Sequence, residues 1–418
     1  LYHSAHFISS RTLSGFPGFP MPDEYPDYPG HARVLEYLRS YADHHGLDED
    51  SVYHTRVVDA KREAGAQGSG PWQVAVEEAG IRGEEADGGA RSEGHERERR
   101  RPVGRGGPER AQWSCSALVL ATGSNWHPHL PDLPGSFSGE IRHSVHYSDA
   151  DEFRGRRVLV VGAGTSGVDI ACDAARVADR AFLSVRRGYR FVPKYVFGTP
   201  ADVFARQGPP IPAWLERRFF TFLLDRVLVG DLTRYGLPRP DHPILASHPI
   251  MNTEVLHHLG HGDLEARPDL VRFEEEEAVF QDGSRERVDL VIFATGYRRP
   301  FPFLRHPDLD PDGEWPPEVM HLNLLHCTTP DLFVMGLFET DGAAYGLFGE
   351  QAEVVARSLE VLQAGGAGAA GLAALRARDE PDLTGGRSYV DSPRHRYYVA
   401  ERVYRRRLRE LRAALDAL

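Results

Sequence analysis

Around residue 157 the pattern of apolar and polar positions changes period twice within thirty residues, and each change predicts an element. Val158-Leu159-Val160-Val161 is a short β-branched run without alternation, as expected of a strand buried on both faces. Gly162-Ala163-Gly164-Thr165-Ser166-Gly167 follows at once, after which Val168, Ile170, Ala171, Ala174, Ala175, Val177 and Ala178 recur at helical spacing. A second apolar run at 181–185 closes a strand, turn, helix, strand unit of about 30 residues, the length a βαβ crossover needs. Two more apolar runs, 116–123 (SALVLATG) and 289–296 (DLVIFATG), end in the same tripeptide. Each predicts a buried parallel strand whose C-terminal turn brings backbone close to a ligand. Two such endings flanking one glycine fingerprint predict an α/β chain with two dinucleotide-binding, Rossmann-like domains.

The other patterns are plainer. Residues 1–30 are dense in Pro, Gly and aromatics, which predicts an ordered irregular wrap. A helix is expected over 31–43, strands over 51–59 and 71–77, and a disordered insertion in a hairpin over 77–112, where Gly and charge leave little apolar surface to offset ordering entropy. Residues 212–229 read as an apolar helix, 252–260 as a short helix, and 271–274 and 278–280 as strands ahead of the turn Asp282-Gly283. A strand at 331–336, a helix at 351–362, a Gly/Ala linker at 364–370 and an Arg-rich amphipathic helix after Arg394 complete the chain. The last carries Val399, Val403, Leu408, Leu411, Leu415 and Leu418 on its apolar side.

Composition narrows the function. The 418 residues suffice for two or three domains. A net charge of −12 argues against a nucleic-acid partner, and no stretch approaches the roughly 18 apolar residues of a membrane span. Cys115, Cys172 and Cys327 lie far apart with no metal-type spacing, read as small apolar residues, and fit a reducing, cytoplasmic setting. The absence of a CxxC pair counts against a flavin-dependent disulfide reductase, and His257 and His258 lack the companions of a metal ligand set. No metal site is expected.

The glycines supply the candidate chemistry. Gly162 suits the tight turn, Gly164 lets backbone approach a pyrophosphate, and Gly167 permits close helix-on-strand packing, with the phosphate on the helix N-terminus beside Thr165 and Ser166. About 20 residues on, where an NAD site carries an acid for the ribose, this chain has Arg186-Arg187. Guanidinium groups there suit a 2′-phosphate, so NADPH is favoured over NADH. The competing reading is that an Arg pair is commonplace here, since Lys61 and Lys194 are the only lysines.

Residues 137–147, FSGEIRHSVHY, lie just ahead of this fingerprint and fit FxGxxxHxxx(Y/F) through Phe137, Gly139, His143 and Tyr147. The chain thereby resembles the flavin-containing monooxygenases; the Baeyer–Villiger branch carries Trp where this chain has Tyr147. The segments LYHSAHFISSRTLSGFPGFPMP at 1–22, FATGY at 293–297 and GLF near Gly336 are similar to the same family. The resemblance implies FAD and NADPH as cofactors, O2 and a small amine or sulfide as substrates, and oxygenation of a soft nitrogen or sulfur through a C4a-peroxyflavin. It is compatible with a homodimer. It implies a remainder of an FAD domain over 1–150, an NADP domain over 151–300 with a helical insertion at 190–255, and a closing FAD section over 301–418. It adds Thr122, Gly123, Thr295, Gly296, Tyr297 and, at a helix N-terminus, Gln351 to the cofactor candidates. No acid, base or nucleophile stands out, which fits a reaction in which the flavin carries the chemistry. The signature itself is read as a structural corner between domains at least as readily as a direct participant.

Two departures temper the resemblance. The family's own FAD fingerprint lies upstream of the LYHSAH-like segment, so the chain reads as an N-terminally truncated member lacking the first βαβ unit of the FAD domain. Ile8 occupies the position where many members carry an active-site Asn. The alternative is a truncated or degenerate NADP-binding protein without oxygenase activity.

Overall fold

The apolar run at 158–161 is the centre of a five-stranded, wholly parallel sheet, and that placement explains its lack of alternation: both faces are covered. The computed structural model describes residues 2–63, 70–79, 105–106, 110–207, 213–244, 246–378 and 381–418. In chain order the elements used below are α1 (His31–His44), β1 (Thr55–Arg62), β2 (Trp72–Glu78), β3 (Arg110–Cys115), β4 (Leu118–Leu120), β5 (Glu140–His143), β6 (Arg157–Val161), α2 (Thr165–Val177), β7 (Arg180–Ser184), α3 (Ala213–Phe222), β8 (Glu265–Arg267), β9 (Leu290–Phe293), β10 (Leu332–Val334), α4 (Tyr345–Ala364), α5 (Gly366–Arg376) and α6 (Glu401–Asp416).

The parallel sheet runs β8, β7, β6, β9, β5. From β6 the chain crosses outward to β7 and β8, then returns to the other side of β6 as β9. The strand order therefore reverses between the C-terminal ends of β6 and β9, and at such a switch point an open α/β sheet leaves a crevice for a ligand. Val158, Val160, Val168, Ile170, Leu183, Leu290 and Ile292 form the core on the α2 side, and Leu159, Phe182, Val291 and Phe293 pack the other face. At the base, Arg157 Nη2 lies 2.5 Å from Asp289 Oδ1, clamping β6 to the start of β9. The Arg157 hydrogen bonds hold the Asp289 carboxyl down at about 2.

A second sheet pairs β4 in parallel with β10, and residues 325–326 and 320–321 extend it antiparallel. Beside it β1, β2 and β3 form an antiparallel meander, with Trp72, Val74 and Val76 facing inward. Helices α4, α5 and α6 share a core of Leu347, Val354, Leu372, Tyr404, Leu408 and Leu411. Residues 2–30 hold little regular structure and lie against the parallel-sheet half: the Tyr2 hydroxyl donates to Asp169 Oδ2 at 3.2 Å, and His3 N–H to Ser148 O at 2.9 Å.

Several sequence expectations shift. The five-stranded sheet takes in β5, so the NADP-side sheet recruits residues from before position 150; residues 137–147 form an edge strand and turn. Of the insertion expected at 77–112, residues 80–104 and 107–109 lie outside the described residues, while Glu77 and Arg110 are cross-strand partners in the β2–β3 hairpin. The Gly/Ala stretch expected as a linker is largely α5, because Ala favours helix and Leu372 and Leu375 anchor it in the core; Gly365, at φ +69°, makes the break from α4. Helix α4 starts at Tyr345, six residues before the expected start. The apolar helix expected at 212–229 is α3 continued by a π-helical turn, Leu223–Leu228, that buries Leu223 and Leu224.

Candidate functional site

The three fingerprint glycines answer to different demands. Gly162 leaves β6 at φ +105°, and a Cβ there would stand 2.7 Å from Ala294 O at the end of β9. A Cβ on Gly167 would run into the Gly162 carbonyl. These two are required by the packing of strand, helix and neighbouring strand. At Gly164 a Cβ would meet only Arg394 Nη1, at 3.9 Å, so the space above this residue is open. Gly164 also offers α2 no side-chain cap, and the first-turn N–H groups have no intrahelical acceptor. Beside them the Thr165 hydroxyl is buried with no hydrogen-bond partner. Ser166 turns toward the N-terminal wrap, within hydrogen-bonding reach of Tyr2. An uncapped helix N-terminus, an open backbone approach and an unsatisfied hydroxyl fit a phosphate group.

Beyond β7, Arg186 and Arg187 point into different surroundings, as successive residues of extended chain must. Arg186 is exposed; its charge and that of Arg298 bear on His129, whose imidazole is made less basic first by burial and then by these two cations. Arg187 is half-buried over the Tyr189 ring, 5.4 Å from its centroid, and its Nε has no partner.

The loop after β9 closes the crevice. Ala294 N–H donates to Val161 O at 2.9 Å, tying it to the fingerprint strand. The Thr295 hydroxyl donates to the His129 carbonyl, His129 N–H donates to Gly296 O at 2.9 Å, and Tyr297 pairs antiparallel with Pro128. Thr295 and Tyr297 thus hold residues 127–129 in place, and only Gly296, at φ +85°, faces open space.

All four signature residues make structural contacts. Phe137 packs on Phe273 at 4.8 Å, and a Cβ on Gly139 would stand 2.7 Å from Asp289 O. His143 Nδ1 accepts from Val145 N–H at 3.2 Å, so Nε2 carries the proton and donates to Gly296 O at 3.0 Å. Burial lowers its pKa and favours this neutral form. The Tyr147 hydroxyl donates to Asp173 Oδ2 on α2 at 3.0 Å, and its ring stacks on Phe153 at 4.8 Å. The signature pins β5 and its turn to β9, to the 294–297 loop and to α2.

Three candidates lie elsewhere. Thr122 and Gly123 follow β4 at an exposed turn, where the Thr122 carbonyl accepts from Trp126 Nε1 at 2.6 Å. Among the described residues, no second glycine cradle stands beside it. Gln351 is fully buried in α4, accepting from Gly336 N–H at 3.0 Å and donating to the Tyr404 hydroxyl at 2.7 Å. Both ends of its amide are thus engaged inside the chain, and its side chain belongs to the core. Sequence reasoning missed His129 and Arg394, which come from irregular segments remote in sequence from the fingerprint, and Arg298, which directly follows the Tyr297 it singled out.

One cluster among the described residues has metal-like spacing: His306, Asp308 and His326. Its hydrogen bonds oppose ligation. His326 Nδ1 accepts from Thr329 N–H at 3.0 Å and His306 Nδ1 from Asp308 N–H at 3.2 Å, so His326 Nε2 must carry the proton and the His306 Nδ1 lone pair is engaged.

The comparisons agree with this geometry. The family model described as flavin-binding monooxygenase-like matches residues 1–87 and 109–379. Flavin-containing monooxygenase 5 of Rattus norvegicus is 32% identical over 316 residues, which is 73% of this chain and 54% of the relative; the chain spans about half the length of the curated relatives it matches. An open crystal structure of cyclohexanone monooxygenase superposes with a TM-score of 0.65 at 16% identity, covering 100% of this chain and 88% of that one. Oxidised steroid monooxygenase bound to NADP gives 0.62 at 18%, covering 99% and 89%. The fold is accordingly that of the class B flavin monooxygenases, α/β with two Rossmann-like domains. Its matched residues, fingerprint and signature agree on one assignment: the chain belongs to the flavin-binding monooxygenase-like family.

Proposed function

We propose that the chain is the nucleotide-binding part of an NADPH- and FAD-dependent monooxygenase that places one oxygen atom of O2 on a soft nucleophilic nitrogen or sulfur of a small molecule. The observation that carries the NADPH half is the open Gly164 above an uncapped α2, flanked by the unsatisfied Thr165 hydroxyl. There Gly162, Gly164, Thr165, Ser166 and Gly167 cradle the diphosphate, and Arg186 and Arg187, with Arg298 and His129, receive the 2′-phosphate. The 294–297 loop walls the crevice, and Gly296 leaves room for the nucleotide beside β9. When bound, NADPH supplies a hydride and FAD the activation of oxygen; the protein's part is to hold the nucleotide in register and keep water out. For FAD the fit is incomplete: Thr122 and Gly123 are an exposed turn, and Gln351 is committed to the core.

That incomplete fit favours a second reading, an NADP-binding protein without oxygenase activity. The two separate in one experiment: the purified chain is incubated with FAD, gel-filtered and titrated with NADPH under a visible absorption spectrum. Retained flavin that bleaches with NADPH and recovers in air, with oxygenation of a test amine or sulfide, supports the monooxygenase. NADPH binding without retained flavin supports the second reading.

A further inference from the structure

The crevice has an outer wall that comes from the other end of the chain. Residues 339–340 pair in parallel with 398–399, and Val390 N–H donates to Ala246 O at 2.8 Å, so the segment between is strung from the 190–255 insertion to the strand at Glu339. Arg394 is fixed on this segment. Its Nε donates to Glu339 Oε2 at 3.1 Å, and Glu339 also takes the Arg299 guanidinium. Burial alone would raise the Glu339 carboxyl, but Arg394 and Arg299 outweigh it and hold the group ionised. With Nε engaged, Arg394 Nη1 is the group that faces Gly164.

His395 stands next to it, 8% exposed, with Nδ1 2.7 Å from Ser392 Oγ and Nε2 buried without a partner. Nε2 is thereby left outside any hydrogen bond whichever ring nitrogen carries the proton. Burial, then the nearby charges of Arg394 and Arg187, pushes the His395 pKa down to about 4, so at neutral pH the ring is uncharged. The Arg394 guanidinium thus faces the open space over Gly164, beside the unsatisfied Thr165 hydroxyl and the free first-turn N–H groups of α2. A guanidinium nitrogen, a buried hydroxyl without a partner and a helix N-terminus turned to one open space call for an anion.

We propose that Arg394 forms the outer wall of the diphosphate site, clamping the diphosphate of a nicotinamide dinucleotide against the N-terminus of α2. The inference rests on the NADPH reading and adds a ligand that the fingerprint does not contain. Because the diphosphate is common to both nicotinamide dinucleotides, Arg394 serves NADPH and NADH alike, whereas the 186–187 pair serves NADPH alone. Glu339 keeps the Arg394 guanidinium ordered before the nucleotide arrives, which reduces the entropy lost on binding.

The test is calorimetric titration of the full chain with NADPH, NADH and ADP-ribose, comparing wild type with Arg394→Gln, Arg394→Lys and Arg186→Ala/Arg187→Ala. Glu339 keeps Arg299 in the Arg394 variants, and a thermal melt of each protein checks its fold. Arg394→Gln should weaken all three ligands by a similar factor of about ten to a hundred, the scale of a lost charge-assisted hydrogen bond. Arg394→Lys should recover part of that loss. Affinities within twofold of wild type in Arg394→Gln, or a loss confined to NADPH, would overturn the proposal. A wild-type chain that binds none of the three ligands would overturn the NADPH reading itself, and this clamp with it.

Discussion

The sequence Ala-Thr-Gly closes two strands of this chain, β4 and β9, and the two ends have different surroundings. After β9 the tripeptide lies against the Gly162 turn at the switch point of a five-stranded parallel sheet. After β4 it is an exposed turn beside Trp126, at the edge of a sheet with only one parallel pairing. The tripeptide specifies a sharp strand exit; a site also needs the neighbouring strand to end in a glycine turn over a helix N-terminus. The proposed site belongs to the pair of strand ends, and neither motif alone would confer it.

Breaking the packed end should have the largest effect. Gly167→Ala drives a methyl into the Gly162 carbonyl; we expect a loss of about 3 kcal/mol in stability, the upper range for overpacking, together with loss of NADPH binding, read by thermal melt and titration. Acid should act next. Burial takes His248 and His395 from the ordinary 6.5 down to about 4, so the unfolded chain takes up protons first. Their stabilising contribution is complete above pH 6.5 and is lost as pH falls from there to about 4. The melting temperature should follow that course, and a flat profile between those limits would contradict the burial of these rings.

The remaining predictions sharpen the contrast between the ends. Arg186→Ala with Arg187→Ala should weaken NADPH by about 1–3 kcal/mol and leave NADH nearly unchanged; equal losses would remove the 2′-phosphate assignment. Gly164→Ala has room for its methyl in the apo protein, so its melting temperature should hold while NADPH affinity falls about tenfold through lost backbone approach. Gly123→Ala, at φ +75° in the other Ala-Thr-Gly turn, should cost roughly 1 kcal/mol of stability with no change in NADPH binding.

What was legible in the sequence follows from where each signal resides. Periodicity located β6, α2, β7, β9 and β10, because a strand buried on both faces and a helix over it leave a local record. The signature 137–147 was legible as a motif, and the contacts of His143 and Tyr147 bear out its reading as a structural corner. That β5 belongs to the fingerprint sheet was not legible, because it joins by a parallel pairing with β9, a partner some 150 residues away that no local pattern records. The side chain of Gln351 was illegible for a related reason: a polar residue near a helix start can face a ligand or satisfy a buried backbone N–H, and only the fold shows that Gly336 and Tyr404 take both ends of its amide. His129 and Arg394 come from irregular segments, where function leaves no period.

The central claim is that the Gly162–Gly167 turn, with the arginines after β7, forms an NADPH site. The most direct measurement is the affinity of the full wild-type chain for NADPH and for NADH, by calorimetric titration under identical conditions. The account predicts saturable binding of both, with NADPH tighter by about tenfold or more, as expected for a 2′-phosphate held by guanidinium groups. Equal affinities would leave a dinucleotide site without the selectivity claimed for it, and no binding of either would contradict the account outright.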